Sequence, residues 1–115
     1  MNEKWRAGGA NACRYVYGIH AMDGSNLGNA LVKIDTETRT GKVWRRRDFV
    51  PGEPTFVPRP GADAEDDGVL LACTHGPDGN ASFVVLDAAT MEEVARADAP
   101  FTMGYGFHGG FSFAA

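Results

Sequence analysis

The stretch Ser82 to Asp98, SFVVLDAATMEEVARAD, decides how this chain is read. Its first half, Ser82 to Asp87, is β-branched and aromatic and predicts a strand. Its second half admits two readings. Thr90 to Ala97 is the one place where a helix could form, and Thr90 and Glu93 have capping-box spacing. Against the helix stands an internal repeat. Shifted by 52 residues, Leu31-Val32-Lys33-Ile34-Asp35 falls on Phe83-Val84-Val85-Leu86-Asp87, and Thr38 falls on Thr90. An Asp followed three residues later by a Thr is turn chemistry, because both side chains can bond nearby backbone amides. The repeat therefore predicts a hairpin turn at 88–92, like that at 36–41, and a strand over Glu93 to Asp98, like 42–47. The fold class is then all-β.

The flanking sequence agrees. Cys13 to Met22 predicts a strand that ends at Asp23-Gly24-Ser25-Asn26. Ala30 to Asp35 and Lys42 to Arg47 predict two more. Prolines at 51, 54, 58 and 60 break the next segment, leaving Thr55-Phe56-Val57 as a short strand. Gly61 to Asp67, GADAEDD, reads as a solvated acidic loop; it lacks the ligand spacing of a calcium loop. Val69 to Thr74 predicts a strand ended by Gly76-Pro77-Asp78-Gly79. Residues 1–12 are polar, match nothing else in the chain and are expected to be disordered.

A period near fifty with about four short strands is the signature of a propeller blade. The shift also places Glu53-Pro54-Thr55-Phe56 on Tyr105-Gly106-Phe107-His108, so both belong to the same strand of successive units. In a propeller the innermost strands line the axis. The 115 residues hold about two such units, and radial folds need about four or more. Sheet edges are therefore left that expect neighbours.

Composition excludes several classes. The net charge of −4 gives no nucleic-acid footprint, and Arg45-Arg46-Arg47 reads as a solvated strand end rather than a phosphate patch. No apolar run is long enough for a transmembrane helix, and the N-terminus lacks a signal-peptide core. Cys13 and Cys73 form no metal-type cluster and read as reduced thiols in strands, with one disulfide between them left open by the sequence. Of three histidines, His20 and His75 sit near strand ends and read as structural, hydrogen-bonded groups. His108 lies among Gly104, Gly106, Gly109, Gly110 and aromatics, where a ring nitrogen is either buried structure or a ligand. No nucleotide loop and no Ser/His/Asp context is present.

Three segments resemble one family. Arg14-Tyr15-Val16-Tyr17-Gly18 is the first. Gly52 to Pro60, GEPTFVPRP, followed by Glu65-Asp66-Asp67-Gly68-Val69-Leu70, is the second. Val85-Leu86-Asp87-Ala88, Val94-Ala95-Arg96 and Gly106-Phe107-His108-Gly109 make the third. Together, over residues 13 to 115, they resemble the C-terminal part of the carotenoid cleavage oxygenases. These include plant and animal carotenoid dioxygenases and bacterial stilbene-cleaving enzymes.

The resemblance implies a seven-bladed β-propeller with Fe(2+) on its axis, held by four histidines from separate blades. His108 matches the C-terminal ligand. Glu53 matches a glutamate that bonds a ligand imidazole through its other nitrogen, and Phe107 would line the substrate tunnel or pack in the core. The implied reaction cleaves a conjugated double bond of a carotenoid, apocarotenoid or other apolar polyene with O2 to two carbonyl products. No general acid, base or nucleophile of this chain is implied. His20 and His75 fall in no family ligand motif, so one ligand of four is present and useful iron binding by this chain alone is not expected. The chain is expected to be a shortened reading frame, a remnant, or a piece of a larger enzyme, without turnover by itself. The second reading is a non-catalytic β-sheet remnant that binds apolar ligands or associates with a full-length relative through open sheet edges. No compartment is legible, and cytoplasm and plastid both stay open.

Overall fold

Two hairpin turns, 52 residues apart, have the same construction. In the computed structural model, which describes residues 13–104 and 109–114, Asp35 Oδ1 accepts from the amides of Glu37 at 3.0 Å and Thr38 at 3.3 Å. Asp87 Oδ1 accepts from the amides of Ala89 and Thr90, both at 2.9 Å. Arg39 and Met91, at equivalent places, both take positive φ, 57° and 63°. The carboxylate closes each turn on its own backbone, so the segment after Asp87 returns as a strand and not as a helix.

Eight strands follow one another: β1 (Tyr15–His20), β2 (Ala30–Asp35), β3 (Thr40–Trp44), β4 (Val50–Pro51), β5 (Thr55–Pro58), β6 (Gly68–His75), β7 (Ala81–Asp87) and β8 (Glu93–Asp98). Among the described residues the helical content is one 3-10 turn, Pro77–Gly79. β1, β2 and β3 form an antiparallel meander, sheet A, with Val16 opposite Ile34 and Val32 opposite Val43. Sheet B runs β4-β6-β7-β8, with β5 also paired to β6. β4 and β5 are thus two pieces of one edge strand. This edge is where prolines are tolerated, because only one side of the strand donates to a ladder.

Sequence-based boundaries need four corrections. β3 ends at Trp44, before Arg45-Arg46-Arg47, and Cys13 lies ahead of β1 rather than in it. β4 has no strand signal, since Val50-Pro51 is too short to show a pattern. The acidic loop is not simply solvated: Glu65, Asp66 and Asp67 are all half-buried and bonded. The fourth correction concerns the basic run. Arg46 stacks 3.5 Å above the Phe49 ring and donates to Ser82 Oγ at 3.1 Å, so it departs from the solvated reading, whereas Arg45, paired with Asp23, and Arg47 are exposed.

The core lies between the two sheets. Leu31 and the half-buried Tyr17 and Trp44 come from sheet A; Phe56, Leu70, Ala72, Val84 and Leu86 come from sheet B, with Ala88 and Met91 from the last turn. Phe56 opposes Leu70, and Leu70 opposes Leu86, giving one apolar row across three strands. Gly68 is needed at the start of β6: a Cβ there would meet the Val57 carbonyl and come 2.9 Å from the Phe56 ring.

Polar links from the motif segments join the sheets. Glu65 accepts from the amides of Arg14, at 3.0 and 3.1 Å, and of Tyr15, at 3.1 Å. Lys33 Nζ donates to Asp66 at 2.6 Å and to the Ala89 carbonyl at 3.0 Å, and stands 4.1 Å over the Tyr15 ring. Tyr17 donates to the Ala88 carbonyl at 2.9 Å and stacks on Phe56. Burial raises the Tyr17 hydroxyl well above its ordinary value, keeping it a donor. The family-like motifs RYVYG, EDDG and LDA are therefore the residues that fasten sheet A to sheet B.

The turn carboxylates make stability depend on acid. The Arg14 guanidinium, bonded to it at 2.6 and 2.9 Å, holds Asp35 well below the usual carboxylate range. The Thr90 amide does the same for Asp87. Groups depressed by folding contribute fully above their unfolded value, about 3.9, and lose that contribution as pH falls through the folded value. Urea midpoints should therefore fall below about pH 4, and the Asp35→Asn/Asp87→Asn double variant should lose midpoint less steeply. An unchanged acid limb in the double variant would contradict this assignment.

Candidate functional site

The site candidate lies on the face of sheet B turned away from sheet A. On β4 and β5, three residues lie between Pro51 and Thr55; on β6, two lie between Leu71 and Thr74. The extra residue is a β-bulge. The Gly52 amide still reaches the Cys73 carbonyl at 2.7 Å, so the surplus falls at Glu53-Pro54. Pro54 has no N–H for the ladder, which is one reason the pairing lapses there. Bulges bend a strand and re-aim its side chains, and they recur beside functional sites.

Glu53 borders a pocket of about 160 Å³. Its walls include Thr55, Leu71, Cys73 and Phe83, which follow from the strand alternation of β5, β6 and β7, and Gly109 to Phe111 from the C-terminal segment. The pocket is mainly apolar, with the exposed Glu53 at its border. The structure therefore brings Glu53 to the same pocket as the residue that follows His108. His108 and Phe107 lie outside the described residues.

The other sequence candidates fall elsewhere. His20 ends β1, in sheet A. His75 ends β6 and lies 3.1 Å from the Gly104 carbonyl, a hydrogen-bonded role. Cys13 and Cys73 are not bridged. Cys73, which the sequence offered only as a strand thiol, lines the Glu53 pocket; period-two alternation with Leu71 was the available signal.

An iron of the kind the resemblance implies needs several nitrogen donors around one point. Among the described residues, no three of His, Cys, Asp and Glu come together in a way that could hold a metal ion. A carboxylate such as Glu53 can accept from a ligand imidazole, but the described residues do not make an iron site. Among them, no helix is long and apolar enough to cross a membrane.

Comparison with known proteins gives a consistent result. The family described as Retinal pigment epithelial membrane protein matches residues 7–112, starting six residues before the boundary at 13 that the motifs indicate. Rice (Oryza sativa subsp. japonica) carotenoid cleavage dioxygenase 8 homolog B, chloroplastic, is 47% identical over 95 residues, 83% of this chain and 17% of that protein. The human carotenoid-cleaving dioxygenase, mitochondrial, is 48% identical over 87 residues, 74% of this chain and 15% of that protein. Among solved structures, a point mutant of Synechocystis apocarotenoid oxygenase superposes with a TM-score of 0.80 at 34% identity, over 85% of this chain and 22% of that one. A chimera of that enzyme with RPE65 gives 0.82 at 30% identity, over 89% of this chain and 22% of the other. The chain thus spans about one sixth of the length of these curated relatives. The motif segments, the all-β architecture and these similarities agree: the chain belongs to the RPE65 and carotenoid cleavage oxygenase family.

Proposed function

We propose that this chain supplies the C-terminal two sheets of a seven-bladed propeller dioxygenase. That enzyme would cleave a conjugated double bond of a carotenoid or apocarotenoid with O2, each former alkene carbon leaving as a carbonyl. His108 serves as one Fe(2+) ligand, and the other imidazoles come from outside this chain. Glu53 accepts from the far nitrogen of a ligand imidazole, which fixes its tautomer and raises its basicity. Phe107 lines the polyene tunnel. The iron, when bound, supplies the O2 chemistry; this chain supplies a ligand, its orientation and apolar wall.

The observation that carries the reading is the shared pocket of the Glu53 bulge and Gly109, next in sequence to His108. The names of the relatives support the substrate class.

The test is a chimera in which this chain replaces the matching C-terminal segment of the rice relative. We expect bound iron and carbonyl products from it. His108→Ala should abolish iron retention, and Glu53→Gln should weaken it about 10- to 100-fold. A folded chimera whose iron content is indifferent to His108→Ala would refute the assignment.

A second reading rests on the outer face of sheet A, where Val16, Ile34 and Val43 are all exposed large hydrophobics. Such a face fits a neighbouring sheet, whether in the same polypeptide or in a separate relative. Mixing this chain with a relative that lacks its own C-terminal segment separates the two cases. Restored cleavage on mixing supports association in trans; no complex on size exclusion counts against it.

A further inference from the structure

We propose that His75 is a positioning residue that clamps the C-terminal segment, through Gly104, onto the end of sheet B. Its Nε2 lies 3.1 Å from the Gly104 carbonyl oxygen. A carbonyl only accepts, so Nε2 carries the hydrogen and the ring tautomer is set by this contact.

The turn that follows His75 is built to receive the same segment. The Gly76 amide donates to the Asn80 carbonyl at 2.7 Å, and Asn80 Nδ2 donates to the Pro77 carbonyl at 3.0 Å, which closes the turn. Gly79 has φ +75°, and a Cβ there would stand 2.5 Å from Thr102 Cγ2. Thr102 therefore seats on a glycine that no larger residue could replace without moving it. On the other side, a Cβ at Gly76 would stand 2.5 Å from the Phe49 ring, itself beneath Arg46. Phe49, the turn and Thr102 are thus packed in series, and the His75 hydrogen bond fixes the chain two residues beyond Thr102.

A second anchor lies further along. Gly109 to Phe111 line the pocket with Leu71, Cys73 and Phe83. Residues 105–108 lie in sequence between these anchors, both on sheet B. The described residues on either side of this span, Gly104 and Gly109, lie against His75 and against the pocket of β5, β6 and β7. The inference stands whether or not His108 binds iron. A loose end at Gly104 would be the most direct way to misplace His108 without touching it.

The test uses the full 115-residue chain, labelled with 15N. Two-bond 15N–1H correlations should show His75 protonated at Nε2; a ring protonated at Nδ1 alone would overturn the proposal without any variant. Order parameters of the backbone amides at Thr102 to Gly104 should lie near ~0.8 and fall below about 0.6 in His75→Leu. His75→Gln, whose side-chain amide presents an N–H at similar reach, should restore them, while β2, β6 and β7 stay unchanged in all three. Equal order parameters in the Leu variant, or a loss spread evenly over the sheets, would show that His75 does not position this segment. If the Leu variant does not fold, the tautomer of the unmodified chain still decides.

Discussion

Asp66→Ala costs the chain about 4 kcal/mol, and Lys33→Met about 2–3 kcal/mol, when urea unfolding is followed at neutral pH. The two partners are joined at 2.6 Å, but they are not equally placed: the Lys33 side chain is 5% exposed and that of Asp66 21%. Removing the aspartate leaves a nearly buried ammonium whose remaining close neighbours are the Ala89 carbonyl and the faces of Tyr15 and Tyr17. Removing the lysine leaves a carboxylate that can partly rehydrate. Burying a charge without its partner costs far more than exchanging the pair for apolar groups. The Lys33→Met/Asp66→Leu double variant should therefore recover most of the loss. Equal losses from the two single variants, or a double variant as unstable as Asp66→Ala, would show that desolvation of the buried amine is not the dominant effect.

Leu86→Ala is expected to cost about 3 kcal/mol, in the usual range for a large-to-small change in a core. Leu86 is 0% exposed and sits opposite Leu70 in the row that starts at Phe56. Its row partners Leu70 and Phe56 sit on paired strands, where ladder hydrogen bonds hold the backbone against collapse. A cavity therefore remains. Val94, 59% exposed on β8, is the control, and Val94→Ala should stay within about 0.5 kcal/mol. Small domains are stable by roughly 5–15 kcal/mol, so the core variant removes a large share of the total. A Leu86→Ala loss below about 1 kcal/mol would mean that the sheets do not pack through this row.

Most of the strands were legible, and the reason differs between them. β2 and β7 each carry a run of β-branched or apolar residues ending in Asp, and the run is repeated. Glu93 to Asp98 has the composition of a helix and folds as β8, with the boundaries the repeat predicts. Local propensity lost there because the Asp87 carboxylate and the left-handed Met91 turn the chain back within five residues. β4 was not legible, because two residues carry no periodicity.

The candidate site was singled out in the sequence through Glu53 and His108, whose roles are proposals. Glu53 was singled out through a motif and through the blade arithmetic, and both signals are blind to the bulge that sets its place. His108 was singled out on similar grounds, and the pocket beside Gly109 is what supports its proposed role. Cys73 and Phe83 join that pocket from strands whose outer faces gave no chemical signal.

The sequence by itself determined where the chain turns and which class of fold it adopts. A turn is a contact between residues two to five apart, so Asp35-x-x-Thr38 and Asp87-x-x-Thr90 write it directly into the order of residues. Only the tertiary structure decided what the charged motifs do. Glu65 and Asp66 read as a solvated loop because their partners, Arg14 and Lys33, lie 51 and 33 residues away. Whether a carboxylate faces water or a buried amine depends on which sheet is packed above it, and no spacing along the chain records that distance.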